Sequence, residues 1–147
     1  MKRIARSAIV EHPAEAMYAL VERIEAYPEF LPWCREAKVR ERSAERTVAT
    51  LAVGLKGVRY AFTTENTNHP PAGIELRLLE GPFRHFSARW RFDGLGAQAA
   101  RIGFEMEYAF SGALAARTLG PLFERIADAL VDAFKRRADA VYGPPAR

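Results

Sequence analysis

Alternation of apolar and polar residues with period two, repeated in segment after segment, is the feature that most limits how this chain can fold. In the clearest segment, RIGFEMEYAF at 101–110, five apolar side chains fall on one face and mostly charged or small residues on the other. Such alternation is typical of strands with one buried face. Lys56-Gly57 stands between two of these segments and predicts a tight hairpin turn. We predict about seven strands, at 3–10, 37–39, 48–55, 58–64, 74–78, 86–92 and 102–110.

Two segments have helical spacing instead. Apolar residues recur every three or four positions from Pro13 to Ile24, with the proline at a position that a first helical turn tolerates. A longer amphipathic pattern runs from Pro121 to Tyr142 and ends at Gly143, which suits a helix C-cap in the left-handed region. A helical start near Ser111, kinked at Pro121, is the alternative. The order of elements predicts an α+β fold in which an antiparallel sheet wraps around a C-terminal helix.

The stretch YPEFLPWC at 27–34 does not fit either periodicity. Its two prolines lack N–H donors and fix φ, so they exclude a long helix or a central strand. We call residues 27–34 the elbow and predict a short, stiff and strongly apolar turn. It could cover the entrance of an apolar cavity, or it could only plug the end of the sheet.

Composition limits the class of protein. The 147 residues fit one domain, 1–147, without the help of metals or disulfides. A single cysteine, the lack of a secretory leader and the lack of a long apolar run predict a cytoplasmic protein, with a peripheral position at the inner membrane as the alternative. The net charge of +4 is a mild basic bias that is compatible with RNA, a ribosome or an anionic membrane surface. A DNA partner is not expected.

The elbow and four further stretches resemble one family. These stretches are TTEN at 63–66, LLEGPFRHFSARWRFDGLG at 78–96, RIGFEMEYAFSGAL at 101–114 and LFERIADALVDAFKRRADAVYG at 122–143. They are similar to the START-like proteins that bind coenzyme Q, a group that includes bacterial ribosome association toxins. That group belongs to the polyketide cyclase/dehydrase and lipid transport superfamily. His12-Pro13 departs from its pattern, because relatives tend to have a serine-like cap before the first helix.

The resemblance implies a helix-grip fold of the START-like or Bet v-like type, with a hydrophobic tunnel between a bent sheet and the long helix. A prenylated quinone such as ubiquinone is the ligand we expect, and no other cofactor. At about 0.8 kcal/mol per buried CH₂, micromolar binding needs roughly three buried isoprenoid units. The alternative is that the aromatic residues simply fill a core. The predicted tunnel and mouth residues are Tyr27, Phe30, Leu31, Trp33, Tyr60, Phe62, Leu76, Leu78, Phe86, Trp90, Phe92, Phe104, Met106, Tyr108, Phe123, Ile126, Leu130 and Phe134.

A second hypothesis is a toxin of a toxin-antitoxin pair that binds the large ribosomal subunit and blocks subunit association. Basic residues on two strands could meet phosphates, although an ordinary solvated sheet face explains them equally well. The residues of this predicted anion-binding face are Lys38, Arg40, Arg42, Arg84, Arg89 and Arg91.

Catalysis of the cyclase or dehydrase type is the third and least favoured hypothesis. The acidic residues Glu75, Glu105 and Glu107 fall on the face opposite the aromatics, which leaves no inward carboxylate pair. The three histidines lack metal-ligand spacing and are expected at the surface, and Cys34 has no partner that would make it a nucleophile. We therefore predict no catalytic residue and no metal site.

Overall fold

Seven antiparallel strands form one curved sheet in the computed structural model, which describes residues 1–143. Their order across the sheet is β1-β7-β6-β5-β4-β3-β2. Register shifts interrupt the β2–β3, β4–β5 and β6–β7 pairs, and such bulges bend a strand and increase its twist. The predicted number of strands is confirmed. The strands are β1 Lys2–Val10, β2 Cys34–Arg42, β3 Arg46–Leu55, β4 Val58–His69, β5 Gly73–Glu80, β6 Phe83–Gly94 and β7 Ala100–Phe110.

The first helix, α1, is shorter than the sequence pattern predicted. It spans Ala14–Glu22, and a separate 3₁₀ helix follows at Ile24–Glu29. Pro13 therefore lies at the N-cap and not in the first turn. The 3₁₀ helix contains Pro28, which is compatible with such a short, tight segment. The elbow thus begins in this 3₁₀ helix and ends at the start of β2.

The second helix, α2, begins earlier than Pro121. It spans Ala113–Tyr142, which at about 1.5 Å per residue makes it about 45 Å long. The start near Ser111, our alternative, is the correct one. The fully buried residues of α2 begin only at Leu122, and before Pro121 it is the half-buried Ala115 and Leu119 that pack against the core.

The end of α2 uses a glycine, as predicted, but with a different geometry. Gly143 has φ 98° and ψ 159°, and its N–H donates to the carbonyl oxygen of Asp139. This ψ lies outside the left-handed helical region, so the predicted αL cap is wrong, although the positive φ still favours glycine. The prolines that we expected to stop the helix, Pro144 and Pro145, lie outside the described residues.

The hairpin turn at Lys56-Gly57 is confirmed. Both residues have positive φ, 53° and 84°, as a type I′ turn requires.

Across the sheet, the buried faces of the strands point toward α2, and the two layers share one core. Within residues 1–143, no helix has both the length and the apolar character needed to span a bilayer.

Candidate ligand-binding cavity

An apolar cavity of about 80 Å³ lies between the concave face of the sheet and α2. Since one water takes up about 30 Å³ of liquid, this space corresponds to two or three water molecules. Ligand pockets in proteins usually measure about 300–1,000 Å³. The tunnel that the resemblance implies is therefore present only as a small cavity, and a chain of three isoprenoid units requires side chains to move.

Two thirds of the predicted tunnel residues line this cavity. They come from the elbow, from four strands and from one face of α2, so the fold brings together positions more than 100 residues apart. They are Tyr27, Trp33, Phe62, Leu76, Phe86, Trp90, Phe104, Met106, Phe123, Ile126, Leu130 and Phe134. Whether they contact a ligand stays a prediction.

Three predicted residues near α1 and the elbow lie away from the cavity. Leu31 is fully buried in the turn itself, where its N–H donates to the carbonyl oxygen of Tyr27. Phe30 packs edge-on against the outer side of Phe134, with ring centroids 5.1 Å apart. Phe92 lies beyond Trp90 and meets the ring of Tyr18 on α1. All three stabilise the walls of the cavity and are not part of its surface.

The other three predicted residues that lie outside the cavity are near the turns at the opposite side of the aromatic core. Tyr60 and Tyr108 pack around Phe83, and Leu78 packs beside the β5–β6 turn at Gly81. The alternation of the strands placed these side chains on the correct face. It does not show how far along each strand the cavity extends.

Sequence reasoning missed seven lining residues. Ala49, Leu51 and Val53 alternate on β3, a signal that was visible within the predicted strand. Thr64 and Asn66 continue the inward face of β4, but they are polar, so a search for alternating apolar residues did not include them. The remaining two are Ile24 and Ala127.

Thr64 and Asn66 form the polar part of the cavity wall. Both are buried, and the Thr64 hydroxyl donates to the side-chain oxygen of Asn66 at 2.7 Å. This hydrogen bond does not use the Asn66 amide NH₂, which is a donor, and both oxygens keep a lone pair that can accept from a ligand. Tyr27 is the one ionisable lining residue, and burial raises its pKa far above the ordinary value. The cavity thus offers apolar contact and hydrogen bonding, without an acid or a base.

The elbow covers one side of this cavity and is held at several points. The Tyr27 hydroxyl donates to the carbonyl oxygen of Val21 at 2.5 Å. The N–H of Gly54 donates to the carbonyl oxygen of Trp33 at 2.9 Å. Arg137 of α2 lies 4.8 Å above the ring of Phe30 and pairs with Glu29 at 2.8 Å. These contacts connect the elbow to α1, β3 and α2, which is consistent with the predicted stiffness.

Closely packed aromatic rings fill the space at the end of the cavity. Phe83 is the centre of this aromatic layer, with ring centroids 4.8 Å from Phe110, 5.2 Å from Phe123 and 5.3 Å from Phe86. Phe62 closes the layer at 5.8 Å from Phe83. The small volume of the cavity follows from this packing. The alternative that aromatic residues fill a core therefore holds at this end.

The predicted basic face is not one surface. Arg42 lies on the other side of β2 from Lys38, because it pairs with Glu22 and Glu25 beside α1. Arg40 donates to the Thr50 hydroxyl, so its orientation is fixed along the sheet. β2 and β6 are also four strand spacings apart, or about 19 Å along a flat sheet. Grouping Arg42 with the others was wrong.

The predicted basic residues of β6 differ in how free they are. Arg89 pairs with Glu105 at 3.3 Å, and Glu75 lies directly opposite on β5. Arg91 faces only Gly73 and Gly103 across the neighbouring strands, so no carboxylate opposes it there. The outer face around β6 is therefore of mixed charge.

A second group of cations lies at one end of the sheet, where Glu36 and Glu80 are also exposed. Arg35 and Arg59 flank Gly54, and Lys56 stands exposed at the adjacent turn. Arg84 is exposed at the start of β6, at the same end. We call Arg35, Lys56, Arg59 and Arg84 the cationic end.

The histidines and the cysteine have structural surroundings. His12 is buried and pairs with Asp139 at 2.7 Å, so the expectation of a surface role was wrong for it. Its position between β1 and α1, against the end of α2, explains the burial of His12.

Burial raises the pKa of the Cys34 thiol to about 11, which keeps this thiol protonated at neutral pH. Among residues 1–143, no three His, Cys, Asp or Glu side chains cluster as a metal site would require.

Comparison with solved structures and sequences agrees with this architecture. The Zhui aromatase/cyclase from Streptomyces sp. R1128 superposes with a TM-score of 0.84, at 20% identity, over 94% of this chain and 93% of that one. At this identity the likeness shows the fold alone. The ribosome association toxin RatA of Pseudomonas aeruginosa is 41% identical over 140 residues, which cover 95% of this chain and 97% of the relative.

A more distant relative is the mitochondrial coenzyme Q-binding protein COQ10 homolog B of Xenopus laevis. It is 28% identical over 148 residues, which cover 97% of this chain and 61% of the relative. The family profile described as polyketide cyclase / dehydrase and lipid transport matches residues 10–135. With its curved seven-stranded sheet and long C-terminal helix, the chain belongs to the polyketide cyclase / dehydrase and lipid transport family.

Proposed function

We propose that this protein binds an apolar ligand, without catalysis, between the sheet and α2, and that the ligand is a prenylated quinone. The observation that carries this proposal is the wall of the cavity, in which Thr64, Asn66 and Tyr27 are the main polar groups among apolar and aromatic residues. Such walls are typical of sites for apolar molecules that carry a few polar atoms. The distant coenzyme Q-binding relative supports the choice of ligand.

The size of the cavity sets a condition on this proposal. About 80 Å³ is too small for a prenyl chain, so binding requires the elbow or the aromatic layer to move. Movement of that kind costs free energy, which the burial of roughly three isoprenoid units can offset. We therefore expect micromolar rather than nanomolar affinity.

The two tryptophans of the chain, Trp33 and Trp90, both line the cavity and can report on binding. Titration with a quinone that carries three isoprenoid units should quench their fluorescence with a saturable, micromolar curve. Ala49→Leu fills the cavity from β3 and should weaken binding at least tenfold. Ala61→Leu is the matched control, because Ala61 is exposed on the outer face of β4. Equal binding by both variants, or no saturable quenching at all, would contradict the proposal.

The lining of the cavity argues against the cyclase or dehydrase alternative for this chain. Proton transfer needs a group that titrates near the working pH, and the one ionisable lining residue, Tyr27, is shifted away from that range. We therefore keep the proposal of a binding protein, which delivers or protects its ligand and so supports respiration.

Association with the large ribosomal subunit is the second candidate function. It is favoured by the 41% identity with RatA across almost the whole of both chains. The cationic end supplies exposed positive charge that could meet phosphates of ribosomal RNA, and such contacts weaken as salt is added. This function would use the surface of the protein, so it is compatible with a ligand in the interior.

Cosedimentation with ribosomal subunits tests the second function. Lys56→Glu with Arg59→Glu should reduce binding to the large subunit severalfold at low salt. The matched control is Arg125→Glu with Lys135→Glu, which changes the net charge equally on the exposed side of α2. If both double variants lose binding equally, net charge is responsible and the cationic end is not the contact surface. If the unmodified protein does not cosediment at low salt, the function itself is excluded.

A further inference from the structure

Two buried hydroxyl groups in the interior have no hydrogen-bond partner within residues 1–143. They belong to Tyr60 of β4 and Tyr108 of β7, whose ring centroids each lie 6.3 Å from that of Phe83. Burial raises the pKa of both phenols, and the nearby Tyr108 is a second cause for Tyr60, so the two groups are within electrostatic range of each other. Buried polar groups in native proteins nearly always have a partner. Each hydroxyl is therefore a donor for which the described chain supplies no acceptor.

The two tyrosines lie directly behind the wall of the cavity. Phe62 and Phe123 line the cavity on one side, and on the other side they contact the tyrosine rings. The ring centroids are 6.3 Å apart for Tyr60 and Phe62, and 4.7 Å apart for Tyr108 and Phe123. One layer of phenylalanine rings thus separates the tyrosines from the existing cavity.

A depression in the surface lies on the far side of Tyr108. It measures about 500 Å³ and is lined by Tyr108 and Phe110 of β7 and by Ala116, Gly120 and Pro121 of α2. Most of the α2 residues that face it are small and precede the first buried residue, Leu122, whereas Lys2, Arg84 and Glu124 make part of its wall charged. Tyr108 therefore lies between the cavity and the solvent, where the polar end of an apolar molecule would be placed.

We propose that Tyr60 and Tyr108 form the hydrogen-bonding site for an acceptor oxygen, of the carbonyl type, on a ligand whose apolar chain occupies the cavity. The ligand would displace the rings of Phe62 and Phe123 and so join the cavity to the tyrosines. This inference rests on the proposed binding of an apolar ligand and identifies where its polar end is held. A quinone carbonyl and a fatty-acid carboxyl share the required chemistry, an oxygen that accepts from a phenol.

The test uses Tyr60→Phe with Tyr108→Phe in the full chain. Three probes are titrated: a quinone with three isoprenoid units, a C16 fatty acid, and a branched C15 hydrocarbon that has no oxygen. We expect about a tenfold loss of affinity for the probe that carries the matching acceptor, and no change for the hydrocarbon. If the double variant loses affinity for the quinone, the bound oxygen is a quinone carbonyl. If it loses affinity for the fatty acid, the bound oxygen belongs to a carboxyl group. Equal affinity of the variant and the wild type for both overturns the inference.

The stability of the ligand-free protein gives a second, opposite signature. Removing two unpaired hydroxyls should raise the Tm of the ligand-free double variant by about 2–4 °C, although it binds the ligand more weakly. Tyr18→Phe is the matched control, since Tyr18 lies on α1 outside the cavity wall, and it should change neither quantity. A lower Tm for the double variant would show that the hydroxyls already have partners, which overturns the inference. If no probe binds the wild type, the proposed function fails, and this inference fails with it.

Discussion

Replacing Phe134 by alanine should be among the most destabilising single changes in this protein. Its side chain is fully buried, and the rings of Tyr27, Phe30 and Trp90 surround it with centroids 5.1 to 5.4 Å away. Phe→Ala substitutions in cores cost about 3–5 kcal/mol. Rigid rings cannot collapse into the void, which in addition joins the existing cavity, so we expect about 4–5 kcal/mol.

Chemical denaturation of Phe134→Ala measures this loss, and it should appear as a lower midpoint with an unchanged m-value. The enlarged void should also bind benzene, as engineered apolar cavities do. Benzene at about ten times its Kd should then restore about 1.4 kcal/mol to the variant and little to the wild type. Leu114→Ala, at a side chain that is 74% exposed, is the control and should stay within about 0.5 kcal/mol of the wild type. A loss below about 1.5 kcal/mol for Phe134→Ala, or no rescue by benzene, would refute the packing on which this reasoning rests.

Three further predictions concern other parts of the fold. Gly81→Ala should destabilise by about 1–3 kcal/mol in thermal unfolding, because Gly81 has φ 153° and a methyl group there would come within 2.7 Å of Phe62 Cβ; an unchanged Tm would contradict this. Two arginines lower the pKa of Glu65, so stability should be present at neutral pH and fall as pH drops below about 4.5, and Glu65→Gln should make that acid-side loss shallower. Cys34 should react with iodoacetamide at pH 8 far more slowly than free cysteine, and rapid labelling would show that the thiol is exposed.

Much of the fold could be predicted from the sequence because strand and helix periodicities are local properties. The alternation in β5, β6 and β7 is apolar on the inner face almost throughout, and these strands were predicted within about three residues of their ends. β4 was predicted to stop at Thr64, yet it continues to His69. Its inward positions 64, 66 and 68 are polar, so the apolar signal ended before the strand did.

The predicted start of α2 was wrong for a related reason. Pro121 indicated the start of α2, because proline is favoured in a first turn. Most of the preceding residues, including Leu114, are exposed, and Ala115 and Leu119 alone give a weak apolar signal, although alanine-rich sequence of this kind readily forms helix. Local patterns reveal a helix mainly where it contacts a core.

The candidate site was only partly predictable, since its extent depends on contacts between distant elements. Which residues face inward follows from strand alternation, and this reasoning found Trp90 and Phe104. How much space remains depends on the fit of rings from β4, β6 and α2 around Phe83. The cavity volume is the result of many such contacts between distant elements, so it cannot be predicted from a local sequence pattern.

Mass spectrometry of organic extracts from the natively purified protein tests the central claim most directly. The account predicts that a prenylquinone copurifies with the unmodified protein and with Ala61→Leu, and is depleted at least tenfold from Ala49→Leu, in which the cavity is filled. Extracts that contain no apolar small molecule, or equal amounts of one from all three proteins, would contradict the claim that the space between the sheet and α2 opens to hold a ligand.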